Sequence, residues 1–336
     1  MKRRGSVTAG ASALLLALLM WPAELARAQS CCGVASEDEL SVAGWERRAV
    51  LTSKLAVTYM LGRHDSHGVY STLPDVIAAT DAQLVLGAGV RMPFYEPLQI
   101  HGSFPVRMQY RAVPGASGEQ TSATAFGAGD ALLFVRWSAL RDNELGLFDE
   151  ASDAIPSLDL YVGGKAPTAR YEEGPSAREQ ASTMGDGTFA LIVGTRAIKH
   201  FTPEHALRLS ARYELHDSRE VDDATSAYER FHPGDIIGLA IGYLGLSGMH
   251  WAFGATIDVT FTTVTSAQAS GEGFVDVPGS SQREVTIGAH LTRTLVMPDL
   301  DLTLGLNYAP PIDQLSRNST LEGIAGALTL RWHWMR

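Results

Sequence analysis

Four consecutive residues, His64-Asp65-Ser66-His67, hold the side-chain types that nucleophilic and metal chemistry use. A serine in reach of a histidine base, oriented by a third polar group, could attack an ester. Adjacency in sequence does not build that geometry, and the chain contains no Gly-x-Ser-x-Gly elbow. His64, Asp65 and His67 could also ligate a metal, but no second cluster has ligand spacing. No cofactor or metal is implied. The two cysteines, Cys31 and Cys32, are neighbours and give no disulfide framework. Ala28-Gln29-Ser30 before them makes a poor lipidation signal, so lipidation, pairing with another chain and free thiols all stay open.

A second constellation is larger. Arg107, Arg111, Arg136, Lys165, Arg196, Arg208 and Arg212 recur at polar positions of one part of the chain, and Asp258, Glu284 and Asp301 at polar positions of a later part. If these parts form opposite walls of a pore, a basic wall faces a more acidic one and a transverse field orients dipolar or charged solutes. The same residues could instead pair across the lumen and only hold it rigid. Both readings stand at this level.

The elements that must position these residues show a period of two. In Leu98-Gln-Ile-His-Gly-Ser-Phe-Pro-Val-Arg-Met-Gln-Tyr110, the residues Leu98, Ile100, Phe104, Val106, Met108 and Tyr110 fall on one side. Gln99, His101, Ser103, Arg107 and Gln109 fall on the other. Successive side chains of a strand point to opposite faces, so each such segment is oily on one face and wet on the other. The pattern predicts strands near 49–63, 80–92, 98–112, 129–140, 156–166, 187–199, 206–216, 235–245, 250–264, 284–296, 300–308 and 322–334. The segment at 235–245 is nearly all apolar or glycine, and its facing is ambiguous. About twelve strands of this kind predict an all-β fold, a transmembrane antiparallel β-barrel with lipid outside and a polar lumen.

The connections support this. Those near 93–97, 200–205, 246–249 and 297–299 are short. Those near 64–79, 113–128, 167–186, 217–234, 265–283 and 309–321 are longer and polar. In outer-membrane barrels short turns are periplasmic and long loops face outward. The acidic link at 141–155 is the exception, long where a short turn is expected. Outward aromatics also sort by end. Tyr59, Tyr110, Tyr213, Phe261 and Tyr308 fall at outer strand ends, and Trp137, Trp251, Trp332 and Trp334 at periplasmic ends, as interfacial belts require.

Residues 1–28 read as a secretory signal: Lys2, Arg3 and Arg4, an apolar run from Ala11 to Trp21, and Ala26-Arg-Ala28 as the cleavage site. Residues 29–48 read as a periplasmic lead-in and 49–336 as the barrel. Removing the signal takes away a net charge of +3 and moves the chain from −10 to −13. An exported acidic chain is a poor fit to nucleic acid. Its partners would be outer-membrane lipid and small solutes, and its location the bacterial outer membrane.

Three segments follow in order: Gly129-Asp130-Ala-Leu-Leu-Phe-Val-Arg136, Val162-Gly-Gly-Lys165-Ala-Pro167-Thr168 and Gly185-Asp-Gly187-Thr-Phe-Ala-Leu-Ile-Val-Gly-Thr-Arg196. They resemble the outer-membrane family named for the meta-pathway of phenol degradation, with Ala166 in place of the usual larger apolar residue. The resemblance covers about 129–200 and implies a barrel for passage of small aromatic molecules. The functional expectation is therefore a barrel that passes or binds small hydrophobic or aromatic solutes without a catalytic step. The alternatives are a structural barrel with a plugged lumen and functional surface loops, and an outer-membrane lipid hydrolase using Ser66.

Overall fold

The computed structural model describes residues 49–64, 70–72, 80–92, 97–114, 120–140, 155–169, 185, 187–202, 204–220, 229–247, 250–269, 271–277, 280–295, 300–309 and 322–334. The leader, the lead-in, Cys31, Cys32, residues 65–67 and most of the acidic link lie outside the described residues.

Among the described residues every regular element is a strand. Twelve of them close a barrel: β1 (Ala49–His64), β3 (Thr80–Arg91), β4 (Leu98–Pro114), β6 (Ala131–Leu140), β7 (Ser157–Ala166), β8 (Ala190–Thr202), β9 (His205–His216), β12 (Ile236–Ser247), β13 (Trp251–Thr262), β16 (Gln282–Thr294), β17 (Leu300–Tyr308) and β18 (Glu322–Trp334). Each pairs antiparallel with its neighbours, and β18 returns to β1 with Leu55 opposite Leu328. All twelve expected strands are present, and closure leaves no unpaired sheet edge in the hydrocarbon.

The register fixes the geometry. A hydrogen-bonded row from Leu98 runs through Trp137, Leu160, Thr195, Ala211, Leu239 and Val259 to Val285. The row through Ile287, two positions on, runs through Tyr308, Ile324, Tyr59 and Thr80 to Tyr110. Tyr110 lies twelve positions along β4 from Leu98, so one circuit displaces the register by about 14 residues. With twelve strands that stagger requires a tilt of roughly 40°. At about 4.8 Å between strands the backbone cylinder is then roughly 23 Å across.

The six remaining strands are additions at the long-loop end, here called the outer end. β2 (Tyr70–Thr72) continues the pairing of β1 beyond β3. β5 (Gln120–Ala128) pairs with the outer half of β4, so residues expected to form a loop instead extend a hairpin. β10 (Arg219–Glu220), β11 (Arg230–His232), β14 (Ser266–Gln268) and β15 (Phe274–Asp276) join two further loops in a separate four-stranded sheet.

Facing follows the alternation. Leu51, Leu55, Leu84, Leu86, Phe104, Leu133, Val162, Leu191, Leu304 and Leu330 are exposed on the outer surface. The ambiguous strand β12 resolves: Ile237, Leu239 and Ile241 point outward, and Gly238, Ala240 and Gly242 line the interior. Aromatic residues recur on alternate strands at one level of the wall. Tyr308, Ile324, Tyr59, Thr80 and Tyr110 form one row, and Tyr213, Ile237 and Phe261 another. Trp137, Trp251 and Trp332 are exposed at the opposite strand ends. The side chain of Trp334 lies outside the described residues.

Candidate functional site

The polar parity of the strands places all ten charged residues singled out in the sequence on the inner face. Arg107, Arg136, Lys165, Arg196, Arg208, Arg212, Glu284 and Asp301 are buried. Arg111 and Asp258 are partly exposed on that same face. The register arranges them in rows. One runs Arg91, Gln99, Arg136, Tyr161, Gly194, Arg212, Gly238, Thr260, Glu284. The next toward the short-turn end runs Ser138, Asp159, Arg196, Ser210, Ala240, Asp258, Thr286. Arg208 sits one row further, opposite Ile198 and Gly242.

Carboxylates that were not singled out interleave with the basic wall. Asp159 Oδ2 accepts Arg136 Nη2 at 2.5 Å and Arg196 at 2.7 Å from Nη2 and 3.2 Å from Nε. This triad ties β6, β7 and β8. Asp81 on β3 takes a forked pair from Arg111 on β4, at 2.5 and 3.2 Å. Arg212 Nε lies 3.3 Å from Glu214 Oε1. Lys165 Nζ lies 3.0 Å from His216 Nε2. The sequence did place Asp81, Asp159 and Glu214 on inward positions. Glu214 and Arg212 are near neighbours on β9, but no local signal says which cation Asp81 or Asp159 meets, since those partners sit 23, 30 or 37 residues apart.

The wall from β3 to β9 still carries the larger positive charge. Its inner-face cations are Arg91, Arg107, Arg111, Arg136, Lys165, Arg196, Arg208 and Arg212, against Asp81, Asp130, Asp159 and Glu214. Among the described side chains, the wall from β12 round to β1 carries Lys54 and Arg331 against Asp258, Glu284 and Asp301. Charge asymmetry survives the pairing, at about half the strength that the cations alone suggest.

An apolar feature inside the lumen escaped the sequence reading. Phe134, Tyr161 and Ile192 form a buried cluster with Leu132 beside it. Phe134 and Tyr161 meet edge to face with centroids 6.1 Å apart and planes at 83°, a favoured aromatic geometry. Phe134 lies over Gly163, its partner on β7, and Tyr161 over Gly194, its partner on β8. Both rings therefore lie against the wall, because their cross-strand partners lack a Cβ.

The three segments that carried the family resemblance converge at the outer ends of β6, β7 and β8. Gly129 approaches Pro105 so closely that a Cβ would stand 2.7 Å from its ring. Here β4 changes partner from β6 to β5 and the register slips by one residue. Pro105 has no N–H to lose at that irregularity. Thr168 Oγ1 donates to Gly129 O at 2.7 Å and accepts from Ala131 N at 2.9 Å. Asp130 Oδ1 accepts Ala169 N at 3.1 Å, and Gly185 packs against the same carboxylate. Gly187 takes φ 70°, which only glycine adopts at little cost, as the chain turns into β8. These contacts tie the three segments together at the rim.

The Ser66 chemistry falls outside the described residues. Among the described residues no group of three metal-ligating side chains comes together.

No protein-family model matches the chain. No curated protein matches it either. Solved structures do. An outer membrane channel from Pseudomonas putida F1 matches at TM-score 0.63 and 13% identity, over 86% of this chain and 96% of that one. The translocator domain of the autotransporter NalP from Neisseria meningitidis matches at 0.48 and 10%, over 97% and 98%. A TodX monoaromatic hydrocarbon channel variant matches at 0.45 and 11%, over 93% and 96%. The first of these shows that the barrel architecture is a known outer-membrane one.

Proposed function

We propose that this chain is an outer-membrane channel that passes small hydrophobic or aromatic solutes, with no catalytic step. The observation that carries this reading is the pairing of an apolar outer face with a charged lumen that also holds the Phe134–Tyr161–Ile192 cluster. A lumen built only for rigidity needs ion pairs, not an aromatic patch. The motif resemblance to the phenol meta-pathway family supports the solute class, as does the fold shared with the Pseudomonas putida channel. The path runs along Arg107, Arg111, Arg136, Lys165, Arg196, Arg208 and Arg212 on one side and Asp258, Glu284 and Asp301 on the other.

The test is single-channel conductance of refolded protein in a planar bilayer, with uptake of phenol and benzyl alcohol into liposomes alongside. Discrete conductance or facilitated uptake supports passage. Absence of both overturns it and favours a second reading, a structural barrel whose lumen is crossed by ion pairs. That reading draws on the Arg136–Asp159–Arg196 triad, which crosslinks three strands. Lipid hydrolysis that is lost in Ser66→Ala would overturn the non-catalytic assignment.

A further inference from the structure

We infer that solutes cross the barrel along one lane of its lumen, against the inner faces of β17, β18 and β1, and that Gly305 and Ala327 set the size of what passes. The inference deepens the channel reading and rests on it.

About eight strands give a barrel that side chains just fill, and more strands leave room. Here the filling is one-sided. On β6–β9 the inward residues at mid-wall are mostly long or aromatic, and Phe134, Arg136, Tyr161, Ile192, Arg196 and Arg212 are at most 8% exposed. β17, β18 and β1 stand half-way round the ring from β7, β8 and β9. Their inward residues at mid-wall include Gly305, Ala327, Ala325 and Ala56, and all four are partly exposed. Leu304 and Leu306 on either side of Gly305 point outward into the lipid band, so the exposure at Gly305 opens on the lumen.

The glycines mark the same lane. On the inner face Gly163 lies under Phe134, Gly194 under Tyr161, Gly238 under Arg212, Gly254 under His290 and Gly288 under Asn307. Gly305 differs. Among the described residues a Cβ there would meet only Ala327 within 4 Å, at 3.7 Å from its Cβ and 4.0 Å from its carbonyl oxygen. His290, the partner of Gly305 on β16, is turned away onto Gly254. Gly305, Ala327 and Ala56 follow one another in a single cross-strand row. Three adjacent strands thus present nothing larger than a methyl group at this level.

The lane narrows toward the short-turn end. Along β18 the inward residues grow in the order Ala325, Ala327, Thr329, Arg331, and the last two are only 8% and 7% exposed. On the β16–β17 side it stays open: Thr303 and Thr292 are partly exposed, and their hydroxyls bond each other at 2.8 Å. The row of Gly305, Ala327 and Ala56 carries no charge, and hydroxyls line the way on. The basic wall acts on this lane as a field from across the lumen, not as its lining.

The test uses the full chain with Cys31 and Cys32 changed to serine, refolded and placed in a planar bilayer. Gly305→Phe should lower single-channel conductance roughly threefold or more and shrink the largest polyethylene glycol that enters, since pore diameter governs both. Gly326→Phe, beside Ala327 but on the lipid face with nothing within 4 Å of its Cβ position, should leave both unchanged. Gly305→Cys should react with a small methanethiosulfonate about tenfold faster than Ala240→Cys, which sits on the packed inner face of β12. Heat-modifiable gel mobility confirms that each variant is folded. Folded Gly305→Phe with the conductance and polymer limit of the parent chain overturns the lane, as does equal reaction of Gly305→Cys and Ala240→Cys. Fast labelling of Gly305→Cys in a barrel that conducts nothing defeats the passage reading alone. Conductance indifferent to Gly305→Phe defeats this lane alone.

Discussion

The Arg212 side chain lies across Gly238, so that a Cβ at position 238 would stand 2.9 Å from both Arg212 Cγ and Nε. Four residues along each strand the relation repeats, with a Cβ at Gly242 standing 3.3 Å from Arg208 Nε. The inner face of β12 is therefore a floor on which the arginines of β9 rest. The high glycine content of this strand is a packing requirement of its neighbour. Gly238→Val should destabilise the barrel by about 1–3 kcal/mol through displacement of a packed side chain. In an Arg212→Ala background most of that penalty should vanish, the signature of a coupled pair. Gly326→Ala, with nothing within 4 Å of its Cβ position, should be neutral. Urea unfolding in lipid vesicles measures all three, and an equal penalty with and without Arg212 would refute the pairing.

Asp159 is the shared acceptor of Arg136 and Arg196 and is 1% exposed. Asp159→Asn keeps the shape and removes the charge, leaving two buried guanidiniums uncompensated. The expected cost is about 3–5 kcal/mol, the usual consequence of removing one partner of a buried pair. The double variant Asp159→Asn/Arg196→Met should recover part of it. Unfolding free energies within about 0.5 kcal/mol of wild type for the single variant would show that this triad is not the girdle of the lumen.

What the residues disclose in advance follows from physics that is local. Period two over ten residues decides both facing and strand identity, and so Arg107, Arg136 and Arg208 could be placed inward before any register was known. Register is set by closure of the whole cylinder, and so the meeting of Asp81 with Arg111, or Asp159 with Arg196, has no local trace. β12 defeated the alternation because both its faces are apolar or glycine, one for lipid and one for arginine stems. The cluster of Phe134, Tyr161 and Ile192 was hidden for the opposite reason, although Tyr161 falls on an inward position. An apolar residue at an inward position looks like noise in a polar lumen until its neighbours prove to be apolar as well.

Orientation rests on loop lengths and belts, and is open to direct labelling. Val275 on β15 is 62% exposed at the long-loop end. In a background with Cys31 and Cys32 changed to serine, Val275→Cys should react with a bulky PEG-maleimide on intact cells. Ser247→Cys, at the end of β12 beside a short turn, should react only after the outer membrane is permeabilised. The reverse pattern would invert the topology.

The lipid face makes a depth-dependent prediction on one strand. Ile241 sits near the middle of β12 and Ile237 near its outer end, in the row with Tyr213 and Phe261. Both are exposed on the outer surface, at 45% and 39%. In water two such leucine-like positions would tolerate arginine equally. In a bilayer the guanidinium of Ile241→Arg must sit in hydrocarbon, at about 2–4 kcal/mol, whereas that of Ile237→Arg reaches headgroups at about 0–1 kcal/mol. Folding titrations into phosphatidylcholine vesicles separate these values. Equal costs at the two positions would mean that the band between the tyrosine and tryptophan belts is not the membrane-embedded zone, and the outward leucines would then need a protein partner instead.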